Sequence, residues 1–260
     1  MNLPNNIAII GMGLIGGSIA KALKKRVPHV VLASLDQGYS DLGEAISQKV
    51  VDRLFASWEE LLLWSDLVIL ASPLSTLSSV AEEIAKRSPK GKKLLVIDVS
   101  SVKKEIVPTF EKLTAQNLEF LSTHPMAGKE TSGFANSDPG LFQGCCWILS
   151  PHEKNQTASI EAISKFVEML GGEAILIDPK EHDVKVALIS HLPALLSRLY
   201  LGFVEQKDPE SLKIAGPGFR SMTRLAKDNP QMQREIAELN CEEIRKQLTL
   251  FLRYIEESSP

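Results

Sequence analysis

The chain has 260 residues, 44% of them hydrophobic, with 29 basic and 32 acidic side chains and a formal net charge of −3. That balance excludes a disordered polar chain, gives no electrostatic reason to expect nucleic acid, and leaves room for a dinucleotide-sized domain plus a smaller one. Cys145, Cys146 and Cys241 show no metal-ligand spacing and the first two are adjacent, so reduced side chains are expected, with neither a disulfide nor a metal.

In chain order, an apolar strand Ile7–Ile10 runs straight into Gly11-Met12-Gly13-Leu14-Ile15-Gly16-Gly17-Ser18 and an apolar helix, Ile15–Lys25. Gly11 serves the tight turn, Gly13 the approach of a pyrophosphate, and Gly16 close packing of helix on sheet. The N-terminus of that helix offers unpaired N–H groups to phosphates. The cofactor contacts expected here are Gly11, Gly13, Leu14, Ile15 and Gly16, with Ser72 after a later strand. The second strand, Val30–Leu35, leads to Asp36, 20 residues past Gly16, where a carboxylate can bind ribose hydroxyls and repel a 2′-phosphate. NAD is therefore the expected cofactor. NADP stays open, because Ser34 could accept a 2′-phosphate.

Further strands are expected at Leu67–Ala71, Leu94–Val99, Phe120–Ser122, Cys146–Leu149 and Ala174–Ile177. Helices are expected between them at Asp41–Gln48, Trp58–Trp64, Leu77–Arg87, Lys103–Ala115 and Thr157–Leu170. Short, fully apolar strands alternating with helices signal a parallel, doubly wound α/β sheet covered on both faces. After Asp178 the strands stop. One long helix is expected from Pro179 to about Gln206, then Phe219–Asp228 and Pro230–Glu256, the last capped by Asn229. The boundary gives a Rossmann-type domain at 1–178 and an all-helical substrate and dimerisation domain at 179–260. Val184–Val204 is mostly apolar but contains Lys185, His191, Pro193 and Arg198, so it reads as a buried helix and not a membrane span. A helical domain this thin should pack on the first domain, on a copy of itself, or on both, and a homodimer is expected on that ground. Met1–Asn6 carries no signal-peptide pattern, so a cytoplasmic location is expected.

Ligands of open α/β sheets bind beyond the carboxyl ends of the strands. Two polar clusters fall there: Asp98-Val99-Ser100-Ser101-Val102-Lys103, and Ser122 through Glu130, which contains His124-Pro125-Met126-Ala127-Gly128. His124 is the candidate proton acceptor at neutral pH. Ser101 reads both as a helix N-cap and as a substrate contact, Lys103 as a solvated first-turn residue, and Glu130 as a carboxylate able to orient a cation. In the helical part, His182 and His191 could line a cavity wall, or His191 could be a core histidine beside the Pro193 bend. Arg220 and Arg224, spaced i and i+4, would share a helix face and could grip an anion.

Together these motifs resemble the prephenate/arogenate dehydrogenase family of tyrosine biosynthesis. The resemblance rests on Gly13 through Ser18, Asp98 through Lys103, His124 through Gly128 with Glu130, Ser190-His191-Leu192-Pro193, and Gly218-Phe219-Arg220 with Thr223-Arg224. It implies oxidative decarboxylation: hydride leaves ring C4 for the nicotinamide, the ring carboxylate leaves as CO2, and aromatisation drives the reaction. It also implies roles. His124 takes the 4-hydroxyl proton, and Ser101 orients that hydroxyl. Arg224 grips a carboxylate, Glu130 acts near that arginine, and His182 and His191 belong to the helical wall. Ala194 stands where many members carry a second histidine, and Ser221 where many carry aspartate, so prephenate and arogenate are both open as substrates. No fused regulatory or chorismate mutase domain is expected. Two other readings compete: another two-domain Rossmann dehydrogenase acting on β-hydroxyacids or imines, and a non-catalytic NAD-responsive binding protein.

Overall fold

The computed structural model describes residues 4–35 and 40–258. Its contacts divide the chain into two compact units, Met1–Pro179 and Lys180–Pro260.

Among the described residues, the first unit is built on eight strands: β1 (Asn6–Ile10), β2 (Val31–Leu35), β3 (Arg53–Phe55), β4 (Leu67–Leu70), β5 (Leu94–Asp98), β6 (Leu118–Pro125), β7 (Cys146–Ser150) and β8 (Glu173–Leu176). They lie in the order β3-β2-β1-β4-β5-β6-β7-β8. Six helices accompany them: α1 (Leu14–Arg26), α2 (Ser40–Ser47), α3 (Trp58–Trp64), α4 (Leu77–Arg87), α5 (Ile106–Leu113) and α6 (Thr157–Leu170). Strand order reverses between β1 and β4, which opens the crevice where doubly wound sheets take ligands. One apolar cluster joins the sheet to α1 and α6 through Ile19, Leu23, Phe166 and Leu170. The other joins its opposite face to α3, α4 and α5 through Leu61, Leu77, Ile84 and Phe110. A sheet buried on both faces explains why its central strands read as unbroken apolar runs.

Two features differ from the sequence reading. The sheet is not wholly parallel, since β7 pairs antiparallel with β6. The stretch between those strands holds a short 3₁₀ turn, Phe134–Asn136, and no crossover helix. The chain therefore turns back instead of crossing over. β3 was not expected either. It is a three-residue edge strand, Arg-Leu-Phe, largely exposed and too short for a period to show.

The second unit holds α7 (Pro179–Val186), α8 (Leu192–Lys207), α9 (Pro217–Met222), α10 (Pro230–Leu239) and α11 (Cys241–Ser258). The expected single helix to Gln206 is interrupted by a π-helical turn at Ala187–His191, just before Pro193 in the first turn of α8. Proline lacks the N–H that would bond back four residues, and the wider turn absorbs the defect. The expected helix over Pro230–Glu256 likewise breaks at Asn240, while Asn229 caps α10 by accepting from the Gln231 and Met232 amides at 2.9 and 3.2 Å.

Pro179–Lys207 is long and apolar enough to cross a membrane by length and composition alone, and a third of its most apolar window is buried. The expectation of a buried helix at Val184–Val204 is corrected: Leu188, Ile189, Leu199 and Phe203 are each more than half exposed. One thin layer of helices has too little surface to enclose them.

Candidate functional site

The glycine turn sits at the end of β1 and leads into α1. Gly11 has φ +99°, and a Cβ there would lie 2.4 Å from the Ala71 carbonyl oxygen, so only glycine fits the turn against β4. A Cβ at Gly16 would fall 1.9 Å from the Gly11 carbonyl oxygen. Gly13, the N-cap of α1, differs: a Cβ there would meet nothing within 4 Å, and no side chain caps the helix. A built Cβ faces open space in front of an uncapped helix N-terminus, the arrangement a diphosphate requires. Leu14, Ile15 and Ser72 are half-buried around this turn, and the Ser72 hydroxyl accepts from Thr76 Oγ1 at 3.1 Å. The residues present therefore fit a dinucleotide.

Ser34 does not fit its expected part. It is buried, and its hydroxyl donates to the Ile9 carbonyl at 2.7 Å inside the sheet. The side chain is turned into the β1–β2 ladder, and its one proton is already donated there. Asp36 lies outside the described residues.

The second cluster forms where β5 and β6 end. Their ladder stops at the pair Ile97 and Leu121. Beyond it, Asp98 takes over: Oδ1 accepts from Ser122 Oγ at 2.7 Å and from the Thr123 amide at 3.0 Å, and the Asp98 carbonyl accepts from Thr123 Oγ1 at 2.5 Å. Oδ2 accepts from the Ser100 amide at 2.8 Å, from the Ser100 hydroxyl, and from Lys103 Nζ at 2.9 Å. Trp147 of β7 donates its indole N–H to Thr123 Oγ1 at 3.0 Å.

Lys103 is the largest departure from the sequence reading. It is fully buried, not solvated, and its ammonium also reaches the carbonyls of Ser100 at 2.9 Å and Thr123 at 2.6 Å. Removing one partner of such a buried pair costs about 3–5 kcal/mol, because the other charge is left uncompensated. The helix expected from Lys103 starts only at Ile106, so Ser101 is not its N-cap. Ser101 sits half-buried in the bend that the Asp98 carboxylate holds. The local sequence carried one clue to this network: Asp98 at a strand end, two serines, then a lysine flanked by apolar Val102.

His124 is the penultimate residue of β6, opposite Ile148 of β7, and is 8% exposed. Glu130 lies six residues on, exposed in the loop after β6. That loop folds over α1. Phe134 is fully buried, the Lys21 ammonium lies 4.3 Å from its ring centroid, and the Asp138 amide donates to Ser18 Oγ at 2.9 Å. The strand that carries His124 is thus tied to the helix that would hold the phosphates.

In the helical unit, His182 is fully buried with Nδ1 2.7 Å from Asp183 Oδ1. The ring is enclosed within the helical unit, beside Asp183. His191 is also buried. Its Nδ1 lies 3.1 Å from Asn240 Nδ2, while Nε2 has no hydrogen-bond partner among the described residues. Burial, reinforced by His182 and opposed by Asp183, holds the His191 pKa down to about 4, so the ring is neutral at pH 7. Asn240 also donates to the Asp183 carbonyl at 2.9 Å, and so ties the α10–α11 break to α7. A lone asparagine inside a long amphipathic stretch was the only sign of it. Arg220 and Arg224 are both exposed but do not share a helix: α9 ends at Met222, and Arg224 opens a 3₁₀ turn, Arg224–Lys227. Ala194 is buried and Ser221 exposed.

A doubly wound sheet with an uncapped glycine turn at the start of α1 defines a nucleotide-binding protein. The family models agree and go further. The nucleotide-binding domain of prephenate dehydrogenase matches residues 19–176, and its dimerization domain matches residues 178–259. The chain belongs to the prephenate dehydrogenase family. It is 29% identical to prephenate dehydrogenase of Bacillus subtilis (strain 168) over 257 residues, covering 98% of this chain and 69% of that one. The A. aeolicus prephenate dehydrogenase solved with hydroxyphenyl propionate and NAD+ superposes with a TM-score of 0.89 at 27% identity, covering 99% and 90% of the two chains. Synechocystis arogenate dehydrogenase superposes with a TM-score of 0.80 at 26% identity, covering 97% and 90%.

Proposed function

We propose that this protein oxidatively decarboxylates prephenate, arogenate or both in tyrosine biosynthesis, as an NAD-dependent oxidoreductase. The observation that carries the reading is the agreement of both units with the two domains of one dehydrogenase family. The open cradle at Gly13 supports it independently. Residues 1–178 bind the dinucleotide, and 179–260 supply substrate and subunit contacts.

Bound NAD supplies the hydride acceptor. His124 accepts the hydrogen bond, and then the proton, of the ring 4-hydroxyl as hydride leaves C4. Ser101 orients that hydroxyl. The ring carboxylate departs as CO2, its bonding electrons complete the aromatic ring, and the imidazole returns its proton to the phenolate oxygen. Arg224, with Arg220 near it in sequence, meets substrate carboxylates, which are costly to bury without a cation. His191 contributes a neutral ring to the helical wall.

The apolar surface of the helical unit supports a homodimer. Leu188, Ile189, Phe203 and Leu250 are exposed, and a groove of about 420 Å³ lined by Leu192, Leu196, Leu250 and Phe251 lies between α8 and α11. A second copy would cover what this chain leaves open. A cytoplasmic location accompanies this reading.

The test supplies prephenate and arogenate separately, each with NAD or NADP, and follows reduced nicotinamide. Turnover with NAD is expected on at least one substrate, and none on either would defeat the proposal. His124→Asn should lower kcat by at least about a hundredfold while NAD still binds.

A further inference from the structure

We propose that Lys103 is a positioning residue. Its buried ammonium joins the Ser100 carbonyl, one residue before Ser101, to the Thr123 carbonyl, one residue before His124. The inference rests on the reading of His124 as the base.

The β5–β6 ladder ends at Ile97 and Leu121, short of both candidate residues. Past that point, side-chain groups do what main-chain pairing does elsewhere in the sheet. Asp98 holds Ser122 and Thr123 from one side. Lys103 Nζ reaches across to Thr123 O at 2.6 Å, to Ser100 O at 2.9 Å and to Asp98 Oδ2 at 2.9 Å. Ser100 Oγ lies within reach as well, at 3.0 Å, so the three donors of the ammonium are all engaged. Apolar residues could fill the same space without the desolvation of two charges, so stability alone is a weak reason for the pair. What an ammonium adds is a fixed point between two carbonyls, one on each strand end. Thr123 is peptide-bonded to His124, so a shift of the Thr123 carbonyl is passed on to the imidazole. A misplacement of about 1 Å in a reacting group lowers turnover on the order of a hundredfold.

The test uses the full chain saturated with NAD, with Lys103→Gln made alone and in the His124→Asn background. Alone, it should lower kcat about 10- to 100-fold, with substrate KM and NAD Kd within about threefold. With His124→Asn present, it should change the residual rate by less than about twofold, because no imidazole is left to place. An equal loss in both backgrounds, or a kcat near wild type for the single variant, would overturn the inference. If His124→Asn by itself leaves kcat intact, the base assignment falls and takes the inference with it, which is a separate outcome. Lys103→Arg keeps the buried charge but replaces the compact ammonium by a wider planar group that cannot hold the same two carbonyls. It carries the test should Lys103→Gln fail to fold: a loss of kcat about threefold or more at constant KM is expected, and no loss overturns the proposal.

Discussion

Replacing Gly13 by alanine should separate cofactor binding from folding. Its backbone, φ −73° and ψ −154°, is open to any residue, and a Cβ there meets nothing within 4 Å. Exchanging glycine for alanine at an N-cap is worth about 1 kcal/mol at most. For a protein of this size that moves Tm by about 2–4 °C. The new methyl occupies the space through which a diphosphate must approach the amides of α1. Charge-assisted hydrogen bonds of this kind are worth about 1.5–3 kcal/mol each. Losing one weakens binding by roughly 10- to 100-fold. Gly16→Ala makes the contrast. Its Cβ would lie 1.9 Å from the Gly11 carbonyl oxygen and 3.1 Å from Ala71 Cβ, and neither the backbone nor a methyl that is part of the sheet can swing aside. Overpacking of this sort costs about 1–3 kcal/mol or more. Thermal melts without cofactor and calorimetric titration with NAD read the two effects separately. The reasoning is refuted if Gly13→Ala binds NAD as tightly as wild type, or if it loses as much stability as Gly16→Ala.

Three further outcomes are expected. His191 has a pKa of about 4 when folded against 6.5 for the free side chain, so between these values the unfolded chain binds a proton that the folded chain refuses. Its contribution to stability is therefore complete above about pH 6.5 and shrinks as pH falls toward 4, by ~3 kcal/mol at most. Denaturant unfolding from pH 7 to pH 4 should show a shallower slope for His191→Gln, and identical slopes would rule the histidine out as the source. Arg224→Ala should raise substrate KM by roughly 10- to 100-fold with a smaller effect on kcat, and an unchanged KM would remove it from the site. Leu250→Glu places a charge in the α8–α11 groove and should shift the light-scattering mass to that of one chain, 28.6 kDa, if this face joins two copies. A wild-type protein already monomeric would end that reading.

The layout is legible in the chain of residues alone. Apolar strands buried on both faces cannot hide their period, and the glycine turn at Gly11–Gly16 announces itself because backbone sterics admit no other residue at φ +99° or 1.9 Å from a carbonyl. His124 and Ser101 stand out as candidates because strand-end loops are where a sheet presents reactive groups. Tertiary structure alone decided the rest. Lys103 looked like a solvated cation because local pattern carries no sign of the Asp98 carboxylate and two carbonyls that enclose it. The return of β7, the break at Asn240 and the separation of Arg220 from Arg224 depend on partners far along the chain or on a helix stopping two residues short of Arg224. Periodicity reports which face a residue takes, whereas burial of a charge or reversal of a strand is set by what another segment brings to meet it.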